Sequence, residues 1–305
     1  MDFKSFAELV KSEVIQKVGN GCRVQLNDVK KNNGVILKGL TIRQWNCNIS
    51  PTIYLNNYYT DYISGKSTLA HIIDCVLDTY NRNKIGQCVD MRFFLNYGDI
   101  KDHVIYKLIN TERNKELLED IPHIEFLDLS IVFQCLVSQE EFGLSSILIH
   151  NTHLKLWDVT TEELYQAAID NTPRLLKYEI TGMAEVLCNI MQEEAPDQFD
   201  SDGWMMNFSN DIPMYVLSNR HKIEGAACIL YPHVLSNFAD TINSNFYIIP
   251  SAVHEVLLLP TNQCEKNVEI LNMIREINDT QVSAEEVLSY SLYYFDRQTG
   301  KIVRL

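Results

Sequence analysis

No apolar run in this 305-residue sequence is long enough to cross a lipid bilayer. A secretory signal is also absent, because the first residues, MDFKSFAELVKSEVI, have the spacing of an amphipathic helix rather than a basic tip followed by an apolar stretch. Both absences argue against a membrane-bound or exported protein. We therefore expect a cytoplasmic protein that makes no contact with a membrane.

The cysteines lack the spacing of a metal or redox motif. All eight are scattered without a CxxC pair, and several, such as Cys135 and Cys228, lie in apolar runs. In a chain of this size without an export signal, an even number of cysteines does not indicate a disulfide framework. The sequence predicts reduced, buried thiols, no metal centre and no cofactor.

Positive charge is scarce. The chain has 26 Lys+Arg against 40 Asp+Glu, a formal net charge of -14. Residues 1–150 hold 16 basic and 18 acidic side chains, whereas residues 151–305 hold 10 and 22. Such a surface repels phosphate backbones, so nonspecific nucleic-acid binding is disfavoured. We expect a protein partner, and a basic one if the acidic half makes the contact.

Strands joined by turns, with helices grouped between them, predict an α+β fold of mainly antiparallel sheets packed with helices. The N-terminal half is rich in helical patterns, over Asp2–Val18, Ser67–Asn81, Asp90–Tyr97 and Ile100–Leu118. Asn33-Gly34 lies between two strand patterns and predicts a hairpin turn.

Further along, we predict one long strand over Ile124–Val137, a helix over Thr161–Asp170 that ends before Pro173, and a strand over Ala226–Tyr231. The stretch Glu193–Asp202, EEAPDQFDSD, has the composition of a linker. This divides the chain into an N-terminal α+β region, residues 1–195, and a smaller C-terminal α+β region, residues 205–305, unless the two form one continuous domain.

The tract Phe246–Pro260, FYIIPSAVHEVLLLP, embeds polar residues in the densest strand pattern. On a strand, His254 shares a face with Leu258 while Glu255 faces the other side, so the two cannot act on one metal or one proton. Leu258 also stands where the zinc-peptidase motif HExxH requires its second histidine. His254, Glu255 and Ser251 are the catalytic candidates, although Ser251 lacks a Gly-x-Ser-x-Gly elbow and a buried, hydrogen-bonded histidine is the simpler interpretation.

Asn171 and Arg174 are the candidate ligand-binding residues. Their segment, Asn-Thr-Pro-Arg, mainly indicates the end of a helix, where Asn171 suits a left-handed terminal position. Arg174 offers a planar fork for a carboxylate or phosphate.

Several sequence blocks occur together: NNGV at 32–35, ISPTIYLN at 49–56, AxxNTPR at 168–174, YVLSN at 215–219 and IPSAVHE at 249–255. This set resembles a clostridial family catalogued as a domain of unknown function, DUF5688. The resemblance spans nearly the whole chain, which implies a single family-length unit. It also implies a bacterial cytoplasmic setting with mobile-element associations, and it implies no activity.

Three functional hypotheses follow. The leading one is a non-enzymatic binding or interaction protein, because reactive constellations are missing while an acidic half offers a contact surface. The second is a hydrolase that uses His254 together with polar groups from elsewhere in the fold. The third is an acidic decoy that inhibits a nucleic-acid-binding machine.

Overall fold

The computed structural model describes residues 1–84, 88, 90–139, 143–194, 214–261 and 267–305. Helices are grouped between antiparallel strands, which confirms the predicted α+β class. The chain forms two compact units, Met1–Leu95 and the described residues from Asn96 to Leu305. None of the helices in these residues has both the length and the apolar character needed to cross a bilayer.

The first unit packs helices against a three-stranded antiparallel sheet of order β1-β2-β3. Its elements are α1 Phe3–Val18, β1 Cys22–Lys30, β2 Ile36–Gln44, β3 Thr52–Tyr54, α2 Asn56–Ile63 and α3 Leu69–Asn83. The predicted hairpin is present. Asn33 and Gly34 in its turn have φ values of 60° and 68°, which Asn and Gly adopt readily. Phe6, Leu40 and Ile72 lie at the centre of its core.

The second unit contains two antiparallel sheets. The strands of the first are β4 Val104–Asn110, β5 His123–Phe126, β6 Leu129–Gln139 and β7 Gly143–Leu148. β6 pairs with β4 along one edge and with β5 and β7 along the other. The strands of the second are β8 Tyr178–Gly182, β9 Tyr215–Asn219, β10 Phe246–Ile249, β11 Val256–Pro260, β12 Tyr293–Asp296 and β13 Lys301–Arg304, in the order β13-β12-β10-β11-β9-β8.

The helices of the second unit are α4 Tyr97–Ile100, α5 Lys115–Asp120, α6 Asn151–Trp157, α7 Thr161–Leu175, α8 Met183–Glu194, α9 Val234–Ile242 and α10 Asn267–Thr280. α8 and α10 contribute Met183, Val186 and Ile274 to a cluster with Val216 and Leu257 of the six-stranded sheet. This packing places α8 over the end of the sheet formed by β8 and β9.

β8 and β9 lie on either side of the boundary expected near residues 195–205, yet they pair with each other, Ile180 opposite Leu217. Residues 1–195 and 205–305 therefore share one sheet. Of the linker expected over Glu193–Asp202, only Glu193 and Glu194, at the end of α8, belong to the described residues.

The helix predicted over Ile100–Leu118 is wrong. Its middle is strand β4, in which every residue but Lys107 is buried. A short apolar run of this kind fits a covered strand as well as a buried helix. Pairing with β6, which is distant in sequence, decides in favour of the strand.

Two further predicted strands differ from the structure. The strand expected over Ile124–Val137 is two strands, because Leu127 adopts a φ of 58° and the chain reverses between β5 and β6. The strand expected over Ala226–Tyr231 is instead a 3-10 helix, Gly225–Leu230.

Helix α7 continues through Pro173 to Leu175 rather than ending before the proline. Its last turn is anchored by side chains: the Thr172 hydroxyl donates to the carbonyl of Ala168 at 2.6 Å and accepts the amide of Tyr106 at 3.1 Å. The first bond lies within α7 and the second ties α7 to β4, and together they stabilise the turn in which proline cannot make its helical hydrogen bond.

Asp128, in the turn between β5 and β6, joins the two sheets of the second unit. Its carboxylate accepts hydroxyl hydrogen bonds from Ser289 at 2.6 Å, Ser291 at 2.9 Å and Tyr293 at 2.5 Å. Burial alone would raise the pKa of Asp128, but these three bonds together with Arg304 hold it below its usual value.

Candidate functional site

The tract Phe246–Pro260 is a hairpin rather than two segments of one strand. β10 ends at Ile249, before Pro250, and β11 starts at Val256 and pairs back with it. The connection is fixed to another part of the second unit, since the amides of Val253, Leu288 and Ser289 donate to the carbonyls of Glu286, Ser251 and Pro250 at 2.8 to 3.0 Å. The prediction that His254 and Glu255 lie on a strand is therefore wrong.

His254 makes two contacts in this connection. Its Nδ1 accepts the backbone amide of Glu224 at 3.2 Å, and its Nε2 lies 3.5 Å from Oε1 of Glu286. An Nδ1 that accepts a hydrogen bond leaves the proton of a neutral ring on Nε2, where it faces Glu286. One side of the ring therefore fixes the backbone, and its other nitrogen faces a carboxylate.

Glu224 supplies the backbone amide that donates to His254. It has a left-handed φ of 55°, and its Oε1 forms an ion pair with Nζ of Lys107 at 2.9 Å in a mostly buried setting. Its Oε2 is buried, and no described residue provides it with a hydrogen-bond partner. The bond to His254 and the ion pair together hold the backbone in a conformation that a glutamate rarely adopts.

Ser218 and Asn219 position the end of β9. The hydroxyl of Ser218 donates to the carbonyl of His254 at 2.7 Å. The side chain of Asn219 accepts the amide of His221 at 3.0 Å and donates to the carbonyl of Ile223 at 2.6 Å. Both residues are buried, and the turn that they stabilise carries Lys222.

A cavity of about 210 Å³ opens beside these residues, between α8 and the ends of β8 and β9. Three carboxylates and one cation line it, together with hydroxyl, amide and apolar groups. The lining residues are Glu179, Thr181, Glu185, Val186, Asn189, Ile190, Val216, Ser218, Asn219, Lys222 and Glu255. We call this space the α8 cavity.

The α8 cavity brings Glu179, Glu185 and Glu255 together from three different elements. Glu179 lies on β8, opposite Ser218 of β9, and Glu255 precedes β11. Glu185 lies in the first turn of α8, where a carboxylate is favoured by the helix dipole. Within the described ranges, no three His, Cys, Asp or Glu side chains are placed to hold a metal ion. The cavity is an acidic recess with one cation in its lining.

The model of a protein family of unknown function, DUF5688, matches residues 3–297. The chain belongs to this family. Among curated proteins, "Protein A6 homolog" of Fowlpox virus (strain NVSL) is 31% identical over 86 residues, which are 28% of this chain and 22% of that protein. The chain thus covers less than a quarter of that relative's own length. No solved structure matches the chain.

In this DUF5688 protein the three catalytic candidates do not share one site. Glu255 lines the α8 cavity, while the ring of His254 contacts Glu224 and Glu286. Ser251 is buried, and its backbone carbonyl accepts the amide of Leu288 at 3.0 Å. Asn171 and Arg174 do come together, on α7, and line a second cavity with Lys101.

Sequence patterns missed most of the residues around the α8 cavity. Glu179, Glu185 and Lys222 carry no motif, and they come together only through the pairing of β8 with β9 and the packing of α8 on the sheet. Ser218 and Asn219 were available as a signal, since polar residues at the end of an apolar strand, YVLSN, suggest a structured turn.

Replacing His254 by alanine is expected to lower the free energy of unfolding by about 1 kcal/mol, because the amide of Glu224 loses its acceptor. Urea unfolding of the variant measures this. His221→Ala is the matched control, since this exposed ring makes no hydrogen bond in the described residues, and we expect a change within about 0.5 kcal/mol. Equal effects of the two variants would contradict the structural role of His254.

Proposed function

We propose that this protein is a non-enzymatic binding protein and that the α8 cavity receives a basic side chain of a partner protein. The observation that carries the proposal is the convergence of Glu179, Glu185 and Glu255 on one recess. The setting that we propose is the bacterial cytoplasm, with mobile-element associations, in line with the family resemblance.

The lining of the cavity suits a lysine or arginine side chain. Lysine and arginine have an aliphatic stem and a charged end. Val186, Ile190 and Val216 supply apolar surface for the stem. The carboxylates supply acceptors for its charged end, and charge-assisted hydrogen bonds of this type are stronger than neutral ones. The volume of about 210 Å³ suits one side chain rather than a large ligand.

The charge of the chain supports the same partner. Residues 151–305 carry 10 basic and 22 acidic side chains, so a basic partner is attracted before contact. The cavity lining stays acidic despite Lys222, because its three carboxylates outnumber this one ammonium group.

The test is capture of partners from lysate of the native host, read by mass spectrometry. The wild-type protein is compared with a variant in which Glu179, Glu185 and Glu255 are all replaced by glutamine. We expect partners with basic contact segments, and we expect the triple variant to lose at least about tenfold in affinity for the partner identified, as loss of several charge-assisted contacts implies.

The control is a second triple variant with the same change in net charge on exposed glutamates outside the cavity, Glu8, Glu119 and Glu162, all replaced by glutamine. It should bind like wild type. Equal loss in both triple variants would favour the acidic decoy, because a decoy depends on overall charge rather than on one recess. Turnover by the wild-type protein in a hydrolase screen, abolished by His254→Ala, would favour the hydrolase.

A further inference from the structure

A second cavity, of about 460 Å³, lies in the second unit between α7 and the segment that precedes β4. Its lining residues are Lys101, Asp102, Ala167, Asp170, Asn171 and Arg174. Its volume falls within the range of small-molecule sites, roughly 300–1,000 Å³. We call it the α7 cavity.

The guanidinium of Arg174 is held in place in this cavity. One terminal nitrogen, Nη2, donates to the carbonyl of Asp102 at 2.7 Å and to Oδ1 of Asn171 at 2.8 Å. Asn171 is buried, and its Nδ2 donates to the carbonyls of Lys101 at 2.8 Å and Val104 at 3.1 Å. An arginine that is already fixed loses less side-chain entropy when it binds a ligand than a free one does.

The remaining donors of Arg174 are available. In the part of the chain that the structure describes, Nε and Nη1 have no acceptor and no carboxylate is within ion-pair distance of Arg174 or Lys101. Lys101 acts on a carboxylate only at longer range, as a minor contribution beside the Thr160 hydrogen bonds that lower the pKa of Glu163. Because Nη2 is already occupied, Nε and Nη1 point to different sides of the guanidinium, so Arg174 can donate to one oxygen of a carboxylate while Lys101 donates to the other.

The α7 cavity also contains two carboxylates. Asp102 and Asp170 line it, and neither is paired with Lys101 or Arg174 within the described ranges. The cavity therefore offers two cationic and two anionic side chains that are not paired with each other. Such a lining fits a ligand that carries one positive and one negative group. A phosphate dianion is disfavoured, because the two carboxylates repel its second charge.

We propose that the α7 cavity binds a small zwitterion, a free α-amino acid. Arg174 and Lys101 hold its carboxylate, and Asp170 and Asp102 hold its ammonium group. This site is separate from the α8 cavity and does not depend on the proposed partner. It gives a chemical role to Asn171, which orients Arg174 rather than touching the ligand.

The test is isothermal titration of the full-length protein with each proteinogenic L-amino acid. The comparison probes are the matching amines without a carboxylate, the N-acetyl amino acids without an ammonium group, and inorganic phosphate. We expect at least one free amino acid to bind, and both single-charge analogues and phosphate to bind at least tenfold more weakly. Failure of every amino acid to bind, or phosphate binding as tightly, would overturn the proposal.

Variants locate the site. Arg174→Gln and Asp170→Asn should each weaken binding at least tenfold. Lys101→Gln should also weaken binding, and it is unlike the other two in that the side chain of Lys101 makes no hydrogen bond to the described residues. Lys155→Gln, an exposed lysine outside the cavity, is the matched control and should leave the affinity unchanged. The glutamine triple variant of the α8 cavity should retain amino-acid binding. Unchanged affinity in Lys101→Gln and Arg174→Gln would contradict the assignment.

Discussion

Gly225→Ala is expected to destabilise the second unit by about 3 kcal/mol or more. A Cβ at this position would lie 2.2 Å from Oγ of Ser218, 2.3 Å from the carbonyl oxygen of His254 and 2.9 Å from the amide of Asn219. Overpacking of a filled site typically costs about 1–3 kcal/mol. Here two of the three obstructing atoms are backbone atoms, which cannot turn away as a side chain can.

The same substitution should disturb the site as well as its stability. Gly225 lies where Ser218 and Asn219 of β9 meet the loop of His254, so any shift displaces the wall of the α8 cavity. Urea unfolding, combined with hydrogen exchange of the amides of β9, measures both effects.

Gly182→Ala is the control for this prediction. A Cβ at Gly182, at the end of β8 in the same unit, would have no atom of the described residues within 4 Å apart from its chain neighbours. We expect a change within about 0.5 kcal/mol. Similar stability of Gly225→Ala and Gly182→Ala would show that the close approach at Gly225 does not exist in solution.

Asp128→Ala is expected to cost about 3 kcal/mol of unfolding free energy. The carboxylate accepts hydrogen bonds from the hydroxyls of Ser289, Ser291 and Tyr293. In the alanine variant each of these hydroxyls loses a charged, partly buried acceptor. Burial, with the neighbouring carboxylate, raises the pKa of Tyr293, so its hydroxyl stays protonated and donates. No hydroxyl in this group can replace the lost charge.

The contribution of Asp128 should depend on pH in a defined direction. Its folded pKa lies below the unfolded value of about 4, so its stabilisation is complete above that value and is lost as the pH falls through the folded pKa. The difference in unfolding free energy between wild type and Asp128→Asn should therefore narrow in acid.

Asp279→Asn serves as the comparison, because this exposed carboxylate accepts a single hydroxyl, that of Tyr290, at 2.7 Å. We expect a cost below about 1 kcal/mol. A gap between wild type and Asp128→Asn that stays constant from neutral pH into acid would contradict the assigned role of Asp128.

Local signals in the sequence predicted the elements that depend on near neighbours. Helix α1 and the hairpin at Asn33-Gly34 follow from apolar spacing and turn chemistry, and both are present. Strand β4 does not follow from such signals, because VIYKLIN has no clear period and only pairing with β6 defines it.

For the same reason, the residues of the α7 cavity were easier to predict than those of the α8 cavity. Asn171 and Arg174 stand three residues apart on one helix, so a local pattern brought both to notice. Glu179, Glu185 and Glu255 converge through the pairing of β8 with β9 and the packing of α8, and neither is encoded within a short window. The reversal of the chain after Pro250 likewise depends on backbone bonds to residues 286–289, far along the sequence.

An NMR titration with N-acetyl-argininamide tests the claim that the α8 cavity holds a cationic side chain. We predict saturable amide shifts confined to α8, to β8 and to the residues around Lys222 and Glu255, with a dissociation constant on the order of 1 mM. The glutamine triple variant should show none of them. Shifts scattered over the surface, or equal shifts in the triple variant, would contradict the claim.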